Sequence, residues 1–317
     1  MRAAIDRDFD GMIDFINQYL ISALVLGSVY ALGAIGVSMI FAILRFAHFA
    51  HGDLMTVGAY FALLVIGIID IPMLAGVSIN IKALIALPFA FAGTVIVALV
   101  VDRFFYKPIR SQKTIIVVIS SFGIALMLRA VILFFYGADT HTFEAGIQMP
   151  LASLLPFRIL ERHIYIIVGT ALLMFALHHM LTRTRTGKAM RAMSDDVDLA
   201  RVTGINTEHV IIWTWVVGGG LVACAGVFLG MDGTVRPMLG WDLLLPIFAA
   251  AILGGLGKPY GAIAGGLVIG AMEELSTYPW IGETPLVSPD YKTAVAFAAM
   301  VLLLIFRPQG LFAGRVL

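Results

Sequence analysis

Long apolar runs separated by short polar connectors recur along almost the whole chain. An α-helix needs about 20 apolar residues to cross roughly 30 Å of hydrocarbon. Runs of that kind cover residues 17–43, 49–69, 82–101, 114–136, 162–181, 208–230 and 291–306. A further apolar block, 242–276, is interrupted by Gly254-Gly255-Leu256-Gly257-Lys258-Pro259, which leaves its halves short for two ordinary spans. The expected fold class is all-α: a polytopic membrane protein with about eight transmembrane helices plus a broken or re-entrant helical hairpin.

The basic residues orient these spans, because Lys and Arg in short loops mark the cytoplasmic side. The loop 102–113 carries Arg103, Lys107, Arg110 and Lys113. The loop 182–206 carries Arg183, Arg185, Lys188, Arg191 and Arg201. These nine are close to half of the 21 basic residues. Two spans separate the loops, as two cytoplasmic loops require. Connectors 70–81 and 277–290 hold no Lys or Arg, and 231–241 holds only Arg236, which assigns them to the other side. The N-terminus is then expected outside and the turn at 46–53 at the cytoplasmic face. Block 242–276 starts and ends outside, as two short spans, a re-entrant hairpin, or two spans joined by a plain cytoplasmic turn. Broken backbone at membrane depth is tolerated only where protein or a water-filled cavity satisfies it. Gly254, Gly255 and Gly257 are therefore pathway or gate candidates.

Helices in lipid associate by close packing, which small residues allow. Gly27 and Ala31, Gly219 and Ala223, Gly226 and Gly230, Gly261 and Gly265, and Gly266 and Gly270 all stand four apart. Packing is the expected role of most of the 32 glycines.

Residues 187–206 are too polar to span. Ala189, Met193, Val197 and Ala200 recur at helical spacing. Arg191, Asp195, Asp198 and Arg201 fall on other faces. Gly204 is placed to end a helix and Asn206 to start the next. The expectation is a short amphipathic cytoplasmic helix, either docking on a soluble partner or lying on lipid headgroups. Asp195, Asp196 and Asp198 weigh against the second reading, since they repel anionic lipid.

Composition agrees with a lipid-facing surface. The chain has 317 residues, 60% hydrophobic and 13% charged, with mean hydropathy +0.97. Soluble domains carry roughly 25% charged residues. A net charge of +1 lacks the basic excess of a nucleic-acid binder. One cysteine, Cys224, forms no internal disulfide. Four aspartates among residues 1–14, followed by a long apolar run, make the N-terminus read as a retained span and not a signal peptide.

No phosphate-binding G-x-x-x-x-G-K-[ST] loop is present: Pro259 follows Gly257-Lys258, and Ile252 stands where the first glycine belongs. The chain is not expected to hydrolyse ATP or to hold a metal. His48, His51 and Asp53 stand within six residues, but the sequence offers no further convergent ligand. Structural roles at a polar turn are expected for them. His178-His179 reads as interfacial. Arg129 is the clear intramembrane charge, either functional or snorkelling to the outer interface. Ser38, Thr56, Ser120 and Ser121 either line a pathway or bond back to their own helices.

Phe49-Ala50-His51-Gly52-Asp53 after a Gly-rich first span, the loop Gly187–Asn206, and Leu253-Gly254-Gly255-Leu256-Gly257 with Gly261, Gly265 and Gly266 together resemble the permease subunits of branched-chain amino-acid ABC importers, of the LivH type. His48 and Asp53 stand where members commonly have Asn and Glu. The resemblance implies one transmembrane permease domain over 1–317, with a cytoplasmic coupling loop at 182–206. Gly187, Arg191, Asp195, Asp196, Ala200 and Gly204 would form the ATPase-coupling loop, while His51, Gly52 and Asp53 join the pathway candidates. It implies no catalytic residue and no cofactor in this chain, with ATP and Mg held by partner ATPase subunits. The implied partners are a second, LivM-like permease, two cytoplasmic ATPases, a periplasmic substrate-binding protein and membrane lipid, with no nucleic acid. The implied location is the bacterial inner membrane. Related permeases carry urea or short amides. A stand-alone channel or secondary carrier, or an intramembrane enzyme using His48, His51 and Asp53, are the rival classes.

Overall fold

A computed structural model describes residues 12–69, 78–143, 150–151, 157–280, 287–306 and 310. The helices are α1 (Ile21–Leu44), α2 (His51–Ile69), α3 (Ile79–Val101), α4 (Thr114–Tyr136), α5 (Glu161–Arg183), α6 (Arg185–Asp195), α7 (Val197–Val202), α8 (Thr207–Asp232), α9 (Leu239–Gly254), α10 (Pro259–Ser276) and α11 (Lys292–Phe306). A π-turn at Ile16–Leu20 precedes α1, and a second, Asp102–Tyr106, extends α3. Among the described residues, six helical segments are long and apolar enough to cross a membrane: Met12–Leu44, His51–Ile68, Ile79–Ile109, Thr114–Tyr136, Glu161–Arg183 and Thr207–Asp232. They coincide with six of the seven expected full spans. The seventh, α11, is apolar but only 15 residues long.

Helix termini follow local chemistry. Arg45 takes a left-handed conformation (φ 58°) and ends α1. Gly137 (φ 74°) ends α4. Asn206 caps α8 by accepting from the His209 N–H at 3.1 Å. At the same end, Glu208 accepts from Lys107 at 2.7 Å and from Arg110 at 3.2 Å, which ties the extension of α3 to the first turn of α8.

The most deeply buried helices are α1, α2 and α8, and α9 and α10 pack against them. Helices α3, α4, α5 and α11 lie outside and present Ile96, Phe134, Leu172 and Phe306 outward. Such side chains are what a lipid-facing surface accommodates. Small residues set the central contacts. A Cβ on Gly266 would collide with the Ala31 backbone, and one on Gly270 with Gly27. Gly58 faces the Ala223 backbone, and Gly226 faces Met55. The four-residue spacings expected to pack thus do so, although Gly219 meets α3 while Ala223 meets α2.

Two segments differ from expectation. The 46–53 turn does not stay at the end of α1 but is drawn into the bundle. His51 Nε2 is 3.1 Å from the Gly33 carbonyl, eleven residues before the end of α1, which is about 16 Å along the helix. After Arg45 the chain runs back beside α1, and α2 starts inside the bundle. The irregular backbone is satisfied there: the Phe49 N–H donates to Ser121 Oγ (3.2 Å), and the His51 N–H to the His48 carbonyl (3.2 Å). That satisfaction is what permits non-helical chain at this depth.

Block 242–276 also starts inside the bundle. The Gly240 N–H donates to Thr56 Oγ1 at 2.9 Å, beside the layer where Gly226 packs on Met55. Gly226 is six residues, or about 9 Å, inside the end of α8. From there α9 runs to a turn at 255–258, close to Met39 and Ala42 near the end of α1. Helix α10 returns antiparallel to α1, and Tyr278 beyond its end packs on Phe15 and Tyr19. The hairpin turn therefore lies at the end of the bundle that carries loop 182–206.

Candidate functional site

The starts of α2 and α9 meet inside the bundle. Gly52 and Gly240 are in backbone contact, and a Cβ on either would strike the other's carbonyl. Two helix N-termini, each with unsatisfied N–H groups and a partial positive charge, thus converge where α1, α2 and α8 are most densely packed. Asp53, in the first turn of α2, is fully buried. It accepts from Arg129 Nε at 3.0 Å and from Nη2 at 3.2 Å. The guanidinium also stacks over Trp241, 4.7 Å from the ring centroid. Trp241 in turn meets Phe122, which stacks on Phe49 at 4.1 Å. One ion pair and one aromatic row therefore join α2, α4 and α9. Arg129 does not snorkel; it turns inward to a carboxylate.

His51 fills the space that a side chain at Gly36 would need. His48 sits edge-on to Trp215 (5.0 Å) and Tyr106 (5.4 Å), which stack on each other at 5.5 Å. Asp53 faces Arg129 and not the imidazoles. Among the described residues no group of three or more His, Cys, Asp or Glu is arranged to hold a metal. Thr56, Ser120 and Ser121 each bond back to their own helix, and Ser121 and Thr56 also accept the backbone N–H groups of Phe49 and Gly240. Ser38 is buried without a hydrogen-bond partner among the described residues.

The six pathway candidates fall into two groups. His51, Gly52 and Asp53 lie at the helix-start junction. Gly254, Gly255 and Gly257 lie at the α9–α10 turn, where Gly254 packs on Gly261, and Gly255 and Gly257 have positive φ (102° and 84°). One further group escaped the sequence reading. Glu273 of α10 is fully buried and accepts from the Tyr30 hydroxyl at 2.7 Å, while its other oxygen has no partner among the described residues. Beside it, Glu274 accepts from Lys292 of α11 at 2.6 Å. The signal was present as the Glu273-Glu274 pair near the end of an apolar, Gly-rich run.

Loop 182–206 is an elbow of two helices, not one. Thr184 caps α6 by accepting from the Gly187 N–H at 3.0 Å. Asp196 breaks the helix and caps α7 through the N–H groups of Asp198 and Leu199. Gly204 (φ 86°) ends α7 as expected. Gly187 lies so close to the Met180 and Leu181 backbone that a Cβ has no room. Met190, Met193 and Ala200 face inward, and Arg45 donates to the Ser194 carbonyl. Arg191 is half-buried and faces the bundle, whereas Asp195 and Asp196 are exposed. Leu199 and Val202 are 62% and 85% exposed, an apolar pair one turn apart with none of the described residues over it.

Residues 19–304 match the family described as "Branched-chain amino acid transport system / permease component". The chain belongs to that family. It is 33% identical over 309 residues to the high-affinity branched-chain amino acid transport system permease protein BraD of Pseudomonas aeruginosa, covering 94% of this chain and 95% of BraD. The same comparison with LivH of Escherichia coli K12 gives 32% identity over 95% of this chain and 96% of LivH. A probable LivH of Methanocaldococcus jannaschii is 28% identical, over 93% and 92%. Among solved structures, PsaBC from Streptococcus pneumoniae in complex with Fab shares the fold at TM-score 0.50 and 15% identity, over 96% of this permease and 98% of that chain. The permease is a multi-pass membrane protein.

Proposed function

We propose that the protein is the transmembrane permease subunit of an ATP-driven importer that carries branched-chain amino acids or close relatives across a bacterial inner membrane by alternating access. The observation that carries this reading is the end-to-end likeness to BraD and LivH, both named as branched-chain amino acid permeases. In this reading loop 182–206 faces the cytoplasm and docks on an ATPase. The exposed Leu199 and Val202, flanked by the carboxylates of Asp195, Asp196 and Asp198, form the docking surface. Gly187 and the Arg45–Ser194 bond transmit movement to α5 and α1. A second, LivM-like permease completes the pore, two ATPases supply ATP and Mg chemistry, and a periplasmic protein delivers substrate.

The junction of α2 and α9 is the element that changes between states. Helix starts in contact through glycine backbones slide without side-chain interlock, and the Asp53–Arg129 pair sets how far α4 follows. This is the arrangement expected of broken helices at a transport pathway. Co-purification from native membranes followed by reconstitution tests the reading. ATP-dependent leucine uptake that requires the co-purifying ATPases is expected. Uptake without any ATPase, or uptake of urea or short amides with leucine excluded, would replace it.

A further inference from the structure

Between the elbow and the bundle lies a cavity of about 260 Å³. That is below the roughly 300–1,000 Å³ of sites for drug-sized ligands, so it suits a molecule of few heavy atoms. Its walls come from four places: Met39, Ala42 and Ile43 near the end of α1, Leu181 of α5, Met190 of α6, and Pro259 at the hairpin turn. Those six are aliphatic or thioether. His178, Thr182 and Tyr260 also line the cavity but are engaged: the His178 ring bonds the Tyr260 hydroxyl at 2.8 Å, and the Thr182 hydroxyl donates to the His178 carbonyl at 2.8 Å. Two further polar groups are unpaired. Ser194 is buried, and its Oγ has no hydrogen-bond partner among the described residues. Arg191 also lines the cavity, and its Nε is buried without a partner among the described residues. The elbow's carboxylates are engaged elsewhere or turned outward: Asp196 caps α7, Asp198 pairs with Arg201, and Asp195 is exposed. A buried donor left without an acceptor costs about 1–3 kcal/mol, so an anion at this place relieves a defect.

We propose that this cavity binds a short aliphatic carboxylate from the elbow side and, when filled, pins the elbow to the bundle and slows transport. The carboxylate accepts from Arg191 and Ser194, and the aliphatic tail lies among Met39, Ile43 and Met190. Because the walls belong both to the elbow and to three membrane elements, the ligand fits only the arrangement that brings them together. A ligand selective for one state shifts the population toward it. The link to transport rests on the function proposed above; the binding does not. A free amino acid and a carboxylate lacking the ammonium group share the recognised chemistry.

The test uses the purified complex with its ATPases in proteoliposomes, with ATP and either leucine or isocaproate loaded in the lumen. Direct binding of radiolabelled leucine and isocaproate to the detergent-solubilised complex is measured alongside. We expect saturable binding of at least one probe. Initial uptake should fall about tenfold when the luminal probe stands at about nine times its Kd. Isocaproate alone binding would point to a carboxylate lacking the ammonium, and leucine binding to the amino acid itself. Ala42→Phe, which fills the cavity and removes no polar group, should abolish binding and inhibition while leaving uptake into probe-free vesicles intact. Ser194→Ala should raise the Kd about tenfold or more, and serves if Ala42→Phe does not assemble. Absence of binding by both probes, or equal inhibition in the filled-cavity variant, overturns the proposal. Binding without any ATP-driven uptake overturns the transport reading instead and leaves the site standing.

Discussion

Asp53 and Arg129, 76 residues apart in sequence, meet through two hydrogen bonds of 3.0 and 3.2 Å and join α2 to α4 inside the bundle. Helix α4 has other anchors in the Ser121 bond to the Phe49 backbone, the Phe122 contacts with Phe49 and Trp241, and the Tyr136 ring against Tyr60, but none of them pairs charges. Removing one member of a buried pair strands the other, at about 3–5 kcal/mol. Arg129→Met is therefore expected to lower the unfolding temperature in detergent and to abolish uptake. The double variant Asp53→Leu/Arg129→Met leaves no stranded charge. It should regain stability yet remain inactive, because α4 no longer follows α2. Full uptake by the double variant would reduce the pair to a structural role.

The glycine contact between the two helix starts makes a separate prediction. Gly52→Ala and Gly240→Ala each place a methyl group against the opposing backbone, where no side chain can yield. Forcing methyl groups into packed sites costs about 1–3 kcal/mol. Either variant should insert and co-purify with its partners but lose most uptake. Gly67→Ala, where a Cβ meets nothing within 4 Å, is the control and should behave as the parent. A Gly240→Ala protein with parental uptake rates would show that this contact does not move.

The long apolar runs showed the helices plainly, because a membrane span needs uninterrupted hydrophobicity and leaves few alternatives. The caps at Gly204 and Asn206 and the spacing of packing glycines were legible for local reasons too. Depth was not. Nothing in Phe46-Ala47-His48-Phe49-Ala50 tells whether a polar turn lies at the surface or is drawn inward; that depends on Ser121 and Gly33, which supply its hydrogen bonds from other helices. Asp53 and Arg129 were each visible, but their pairing is a tertiary fact. Glu273 was hidden because its partner Tyr30 is 243 residues away. The break at Asp196 was legible in principle, since aspartate favours N-caps over helix interiors.

Tyr30 and Glu273 offer a chemical test of the α1–α10 seam. Glu273→Gln keeps an acceptor for the Tyr30 hydroxyl, so it should fold and assemble like the parent. Glu273→Leu leaves that hydroxyl buried and unpaired and should cost about 1–3 kcal/mol. Adding Tyr30→Phe removes the orphan and should recover most of the loss. The unfolding temperatures of the parent, Glu273→Leu, Tyr30→Phe and the double variant form a double-mutant cycle. Additive effects would mean that the 2.7 Å bond contributes nothing to holding the seam.

The elbow separates docking from folding. Leu199 and Val202 touch little of their own chain, so Leu199→Glu/Val202→Glu should leave insertion and thermal stability unchanged while preventing the ATPase from co-purifying. Charge reversal at Asp195 and Asp196 is different in kind. Asp196 also caps α7, and losing a cap costs about 1 kcal/mol, so Asp196→Lys loosens the elbow as well as altering its surface. Asp195→Lys/Asp196→Asn retains a capping side chain and isolates the surface effect. With this variant we expect the ATPases to bind and hydrolyse ATP at near-parental rates while leucine uptake falls at least tenfold. Tight coupling in that protein, measured as an unchanged ratio of substrate moved to ATP consumed, would mean that the force passes through the inward-facing contacts of Gly187 and Ser194 alone.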